Sequence, residues 1–226
     1  MSAVMRSDSQ YLADVWPSVS AAAVDGEHHV SQLHSAQERA RKAWADIHSN
    51  HGRRMADVTK TEAARVVESA KFARNILEAQ RTTFTEARDN AANTLRVTQA
   101  QLLRKLNPPS DPGEAALYSE LRAALRAMPL GERIAALQSV VNTPGSDVRI
   151  LHAAVSGPAL VSLLPPDVAA QYIDTYHACT SPNEYGRALR LSASLDEAQT
   201  GMDRLEQHVS QMVDFKQADA YERSAA

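Results

Sequence analysis

The sequence predicts an all-α protein. It reads as elongated, with one long coiled-coil helix, a compact domain of short helices, and a long C-terminal helix that returns antiparallel along the first. Three observations predict this. Residues 27–107 run for 81 positions without a proline and with a single glycine, Gly52. Apolar side chains in that stretch recur at alternating threes and fours, which places them on one face of a helix. Aromatics are 5% of the chain while hydrophobics reach 44%, with alanine prominent, a composition suited to thin helical layers rather than a thick core.

The chain begins with an arm and linker, residues 1–26. Positions 8–16 can form a short amphipathic helix, stopped by Pro17, with Tyr11, Leu12, Val15 and Trp16 on one side. Tyr11, Leu12 and Trp16 are its contact residues, either on the arm's own chain or on a neighbouring subunit.

The long helical stretch follows. Val30, Leu33, Gln37, Ala40, Trp44, Ile47 and His51 step by 3, 4, 3, 4, 3, 4, the a/d pattern of a coiled coil. The next steps, to Met55, Thr59 and Ala63, are all fours, which locally unwinds a left-handed supercoil. Gly52 lies inside this slip and marks a place for a bend, so residues 27–107 are one helix or two nearly end to end. The repeat resumes through Ala63, Val66, Ala70, Ala73, Leu77, Gln80, Phe84, Ala87 and Ala91. Small side chains admit a close partner but bury little area per layer, at about 25 cal/mol per Å2.

Pro108, Pro109, Pro112 and Gly113 break the pattern and open a compact bundle of short helices, residues 108–180. Helical periodicity covers residues 114–128, 130–142, 147–155 (with Ser146 placed to cap) and 166–179, with a short apolar turn at 159–164. Leu121, Leu137, Ile150 and Ile173 are expected to be fully buried. Ser181, Pro182 and Glu184 then form a capping box for the return helix, which reaches about residue 216. Its stripe of Leu195, Ala198, Met202, Leu205, Val209 and Met212 should pack against the alanine seam of residues 63–106. Residues 181–226 close the chain, with fraying expected from residue 219.

This arrangement leaves the first half of the long helix without a partner. A contiguous apolar stripe in water marks an interaction site. The sequence therefore predicts a homo-oligomer with Val30, Leu33, Trp44, Ile47 and His51 at the interface.

Charge and chemistry narrow the function. The net charge is −3, with 15 Lys and Arg against 12 Asp and Glu in residues 1–107 and 9 against 15 in the remainder. No strong basic excess of the kind a dedicated nucleic-acid binder carries is present. Arg39, Arg41, Lys42, Arg53 and Arg54 nevertheless form a locally basic stretch able to contact phosphates nonspecifically. The single cysteine, Cys179, rules out an intrachain disulfide and is expected to be a buried thiol. His48 and His51 have a spacing that can hold a metal, but no cysteine or carboxylate pattern completes a site, so no metal is assigned. A phosphate-binding glycine loop, a paired-histidine zinc motif and a nucleophile elbow are all missing from the sequence, which points to a non-enzyme without a cofactor. The longest uncharged run, residues 150–166, is broken by Gly157, Pro158 and Pro165 and is no membrane span. With no signal-peptide profile at the N-terminus, a soluble protein made in a bacterial or host cytoplasm is expected.

Residues 147–167, DVRILHAAVSGPALVSLLPPD, resemble a helix–(Gly/Ala)-Pro-x-Leu–helix stretch in small helical proteins encoded among tailed-bacteriophage structural genes. The resemblance covers about a tenth of the chain, carries over no catalytic or binding residue, and implies a virion component or assembly factor. The leading expectation is therefore a structural or assembly protein of a phage particle acting as a helical oligomer. The alternatives are a bacterial cytoplasmic coiled-coil adaptor for a protein partner and, less favoured, a nucleic-acid-associated helical protein.

Overall fold

The structure, a computed structural model, describes residues 28–143, 145–156 and 163–224. Within them lie eight helices and no strand: α1 (His28–Met55), α2 (Glu62–Arg104), α3 (Pro112–Ala127), α4 (Leu130–Asn142), α5 (Arg149–Val155), α6 (Pro166–Thr180), α7 (Pro182–Met212) and α8 (Phe215–Ser224). The protein is all-α. The chain divides into two compact units. One takes the described residues up to Thr94 together with those from Arg190 onward; the other is Leu95–Leu189.

In the first unit the long helical stretch is a hairpin. α1 continues through Gly52, and the break falls after it, at residues 56–61. Local side-chain bonding ends the helix there. Asp57 accepts the Thr59 amide at 3.0 Å, and the Thr61 hydroxyl accepts the Ala64 amide at 3.3 Å as a cap for α2. Such short-range bonds compete with helical ones. The reversal is then pinned by charge: Glu68 takes Lys60 at 2.7 Å and also pairs with Arg54. Beyond it, His51 Nδ1 lies 2.8 Å from Ser69 Oγ. Further on, Gln32, Ala36 and Arg39 of α1 share a cleft with Thr83, Ala87 and Asn90 of α2. Residue numbers fall on one helix as they rise on the other, so the pair is antiparallel, not one helix or two end to end.

The return helix runs antiparallel as expected, though Leu195 and Met212 of its stripe are only partly covered. Arg81 pairs with Glu206 at 2.7 Å, Arg74 with Asp219, and Lys71 with Glu222 at 3.0 Å, an antiparallel register of α2 with α7 and α8. Ala198, Met202, Leu205 and Val209 are buried, as are Ala70, Ala73, Leu77, Phe84, Ala87 and Ala91. α7 ends at Met212, and Asp214 caps α8 by accepting the Gln217 amide at 2.8 Å. Among the described residues, which end at Ser224, the fraying expected from residue 219 is absent. Ala218 is buried, Asp219 and Glu222 are ion-paired, and the Arg74 guanidinium sits 5.3 Å from the centre of the Phe215 ring.

The second unit is built around α5, which touches α3, α4 and α6. Its core is Leu125, Leu137, Leu151, Ala154, Leu163, Leu164 and Tyr172. Of the four residues expected to be fully buried, Leu137 is; Leu121, Ile150 and Ile173 are only partly covered. Their places are taken by Leu125, Leu151 and Tyr172. A helix of seven residues packed on three sides buries four consecutive positions, 151–154, and periodicity alone does not resolve a face that wide.

Arginines close the carbonyl ends of the short helices. Arg122 donates to Ala153 O at 2.9 Å and to Ser156 O, past the end of α5. Arg133 donates to Leu125 O at 2.7 Å, to Met128 O at 2.9 Å and to Leu163 O. The last carbonyls of a helix lack intrahelical donors, and a guanidinium with five N–H groups supplies several at once.

Two caps differ from expectation. Asp147 rather than Ser146 accepts the Arg149 amide, at 3.0 Å. α7 starts at Pro182 as predicted, but the reciprocal half of its capping box is not made. The Ser181 amide donates to His177 O at 2.8 Å, and Glu184 instead takes Lys105 at 3.2 Å.

Candidate interaction site

Val30, Leu33, Trp44 and Ile47, expected to await a second copy, are 2%, 1%, 7% and 1% exposed within a single chain. The ring of Trp44 meets His208 of α7 at 6.1 Å between centroids and His48 at 5.7 Å. α7 therefore reaches α1 as well as α2. The premise that no part of the chain could cover this stripe does not hold. The reversal at residues 56–61 brings α1 back beside its own return helix. His51 is half-buried in the same hairpin. Burial is the main cause that lowers its pKa, with the nearby His48 adding to it.

Tyr11, Leu12 and Trp16 lie outside the described residues. Among the basic residues, Arg41 pairs with Glu38 at 2.9 Å and Arg54 with Glu68 and Asn50, while Arg39, Lys42 and Arg53 are exposed. Among the described residues no three side chains of the ligand-forming types come together to hold a metal ion, and no helix is long and apolar enough to cross a membrane. Cys179 is exposed, contrary to the buried thiol expected. It lies two positions after buried His177, and that step along a helix points it outward.

Sequence reasoning missed a cluster at the end of α2. The His152 ring stacks on Tyr176 (centroids 5.1 Å apart, planes 13° apart) and meets Tyr118 edge-on at 4.9 Å. Tyr176 continues to His177 at 5.6 Å, and His177 to Tyr185 at 6.2 Å. Both imidazoles are buried, at 5% and 4% exposure. A ring N–H of His152 donates to the Leu106 backbone, and the Tyr176 hydroxyl donates to Lys105 O at 3.4 Å. The Lys105 ammonium donates to Ser181 Oγ at 2.6 Å. The carbonyl end of α2 is thus held by side chains of α5, α6 and the start of α7. The residues come from four separate stretches, and histidines scattered at 152 and 177 carry no spacing that would have paired them.

The surface keeps few large apolar groups. Those exposed among the described residues are Met55 and Val58 at the hairpin tip and, in the second unit, Val97, Leu103, Leu130, Val141 and Leu189. No protein-family model matches the chain, and no curated protein or solved structure matches it.

Proposed function

We propose that this chain is a non-enzymatic structural or assembly component of a bacteriophage particle, acting through contacts between copies of itself and with other virion or assembly proteins. The observation that supports it most is where apolar surface remains. Among the described residues, five of the seven large exposed apolar ones fall on Leu95–Leu189, with Leu103 at 62% and Leu189 at 53% exposure. The same unit holds residues 147–167, whose sequence resembles proteins encoded among phage structural genes. Exposed apolar side chains serve contact between proteins where they form one contiguous patch. In this reading self-association uses the second unit, because the α1 stripe is already covered.

Sedimentation of the full chain at micromolar concentration tests the oligomer. The wild type should sediment as more than one copy, and Leu103→Glu with Leu189→Glu should reduce it to one. A monomeric wild type would set the oligomer aside and favour the adaptor reading, in which the same residues bind a different protein. Head and tail genes beside this one would support the particle; their absence would count against it.

A further inference from the structure

We propose that Leu95–Leu189 is an acid-labile unit, in which protonation of His152 and His177 releases α5 and α6 from the carbonyl end of α2. The geometry carries this. His152 Nε2 and His177 Nδ1 are both buried without a hydrogen-bond partner. His152 is also hydrogen-bonded to the Leu106 backbone. A second proton would place an N–H with no acceptor, and a positive charge, in a space closed to water.

The groups around each ring divide in sign. Around His152 are Tyr118 from α3, Tyr176 from α6 and the Leu106 carbonyl at the end of α2. A ring face and a helix carbonyl end both favour a cation. Around His177 are Tyr176, Tyr185 from α7, Asp174 on its own helix, which favours the cation, and Lys105 after α2, which opposes it. Lys105 is itself paired with Glu184. In both cases burial outweighs the favourable groups and the imidazole titrates below its ordinary value.

The two rings also occupy the joint. His152 and Tyr176 hold the Leu106 and Lys105 carbonyls, so charging the first ring loosens the contact by which α5 and α6 grip α2. Once opened, each ring takes a proton near the ordinary value of about 6.5. Below that pH, and down to the lowered value of the closed form, the open state gains up to about tenfold per pH unit for each histidine. Two rings give up to about a hundredfold.

Hydrogen exchange of the full chain, followed by mass spectrometry from pH 7.5 to 5 and corrected for intrinsic exchange, reads the opening. Peptides from α5 and α6 should lose protection below about pH 6.5 with that steepness. His152→Gln with His177→Gln, neutral at every pH used, should flatten the dependence in those peptides alone. Equal acid sensitivity in variant and wild type, or none in the wild type, would overturn the proposal. Should the variant not fold, imidazole resonances of the wild type decide. Two rings that stay neutral in the closed form below pH 6 support the mechanism, and titration at or above 6.5 with the fold intact refutes it.

Discussion

At the scale of single residues, cost follows what each side chain touches. Leu137 is fully buried in the core of the second unit. Leu137→Ala should therefore destabilise by about 2–5 kcal/mol in urea denaturation, the range for a truncated core leucine. Leu121, only partly covered, should cost visibly less when truncated in the same way. Arg133 serves four carbonyls from two segments. Replacing it with methionine keeps the aliphatic stem but strands those acceptors, for an expected loss of about 1–3 kcal/mol. His51 adds a pH term to the hairpin. Its folded pKa lies below the ordinary value, so its contribution is complete above about pH 6.5 and declines as pH falls through that point.

At the scale of elements, the hairpin of α1 and α2 is the main revision. Trp44→Ala should destabilise the first unit by about 3–5 kcal/mol, because the ring is buried against its own chain. Circular dichroism melts would show the loss, whatever the state of association. Gly52 is helical, and a Cβ there would meet nothing within 4 Å. Gly52→Ala should thus raise stability by about 0.5–1 kcal/mol, where a hinge glycine would have resisted the change. The stripes themselves were legible: every apolar residue from Val30 to Ile47 named by the 3–4 pattern is buried, and so are Met202, Leu205 and Val209. The fold-back was not. A run of steps of four reads equally as unwinding or as a stop, and the Asp57 and Thr61 side-chain bonds that decide it involve residues common on helix surfaces. The buried histidines were illegible for a related reason. Each is the single histidine of its helix, and only the packing of several elements brings them together.

At the scale of the whole molecule, the two units share helices but not sequence continuity. The boundary falls within α2, at Thr94, and again within α7, at Arg190, so the second unit is one uninterrupted stretch and the first is not. Joining Thr94 to Arg190 by a short turn should leave a protein of α1, the start of α2, the end of α7 and α8 that melts cooperatively. A chain that stayed unfolded would show that the first unit depends on the second. The division also sets an order of events on the ribosome. α1 and the first part of α2 emerge early, but His208 of α7, which meets Trp44, is made 164 positions after it. At about 5–20 residues per second, that apolar seam waits roughly 8–33 s for its partner. The second unit, contiguous and complete by Leu189, has all its residues before the first unit does. During that interval the nascent hairpin presents to chaperones the same stripe that the finished protein conceals.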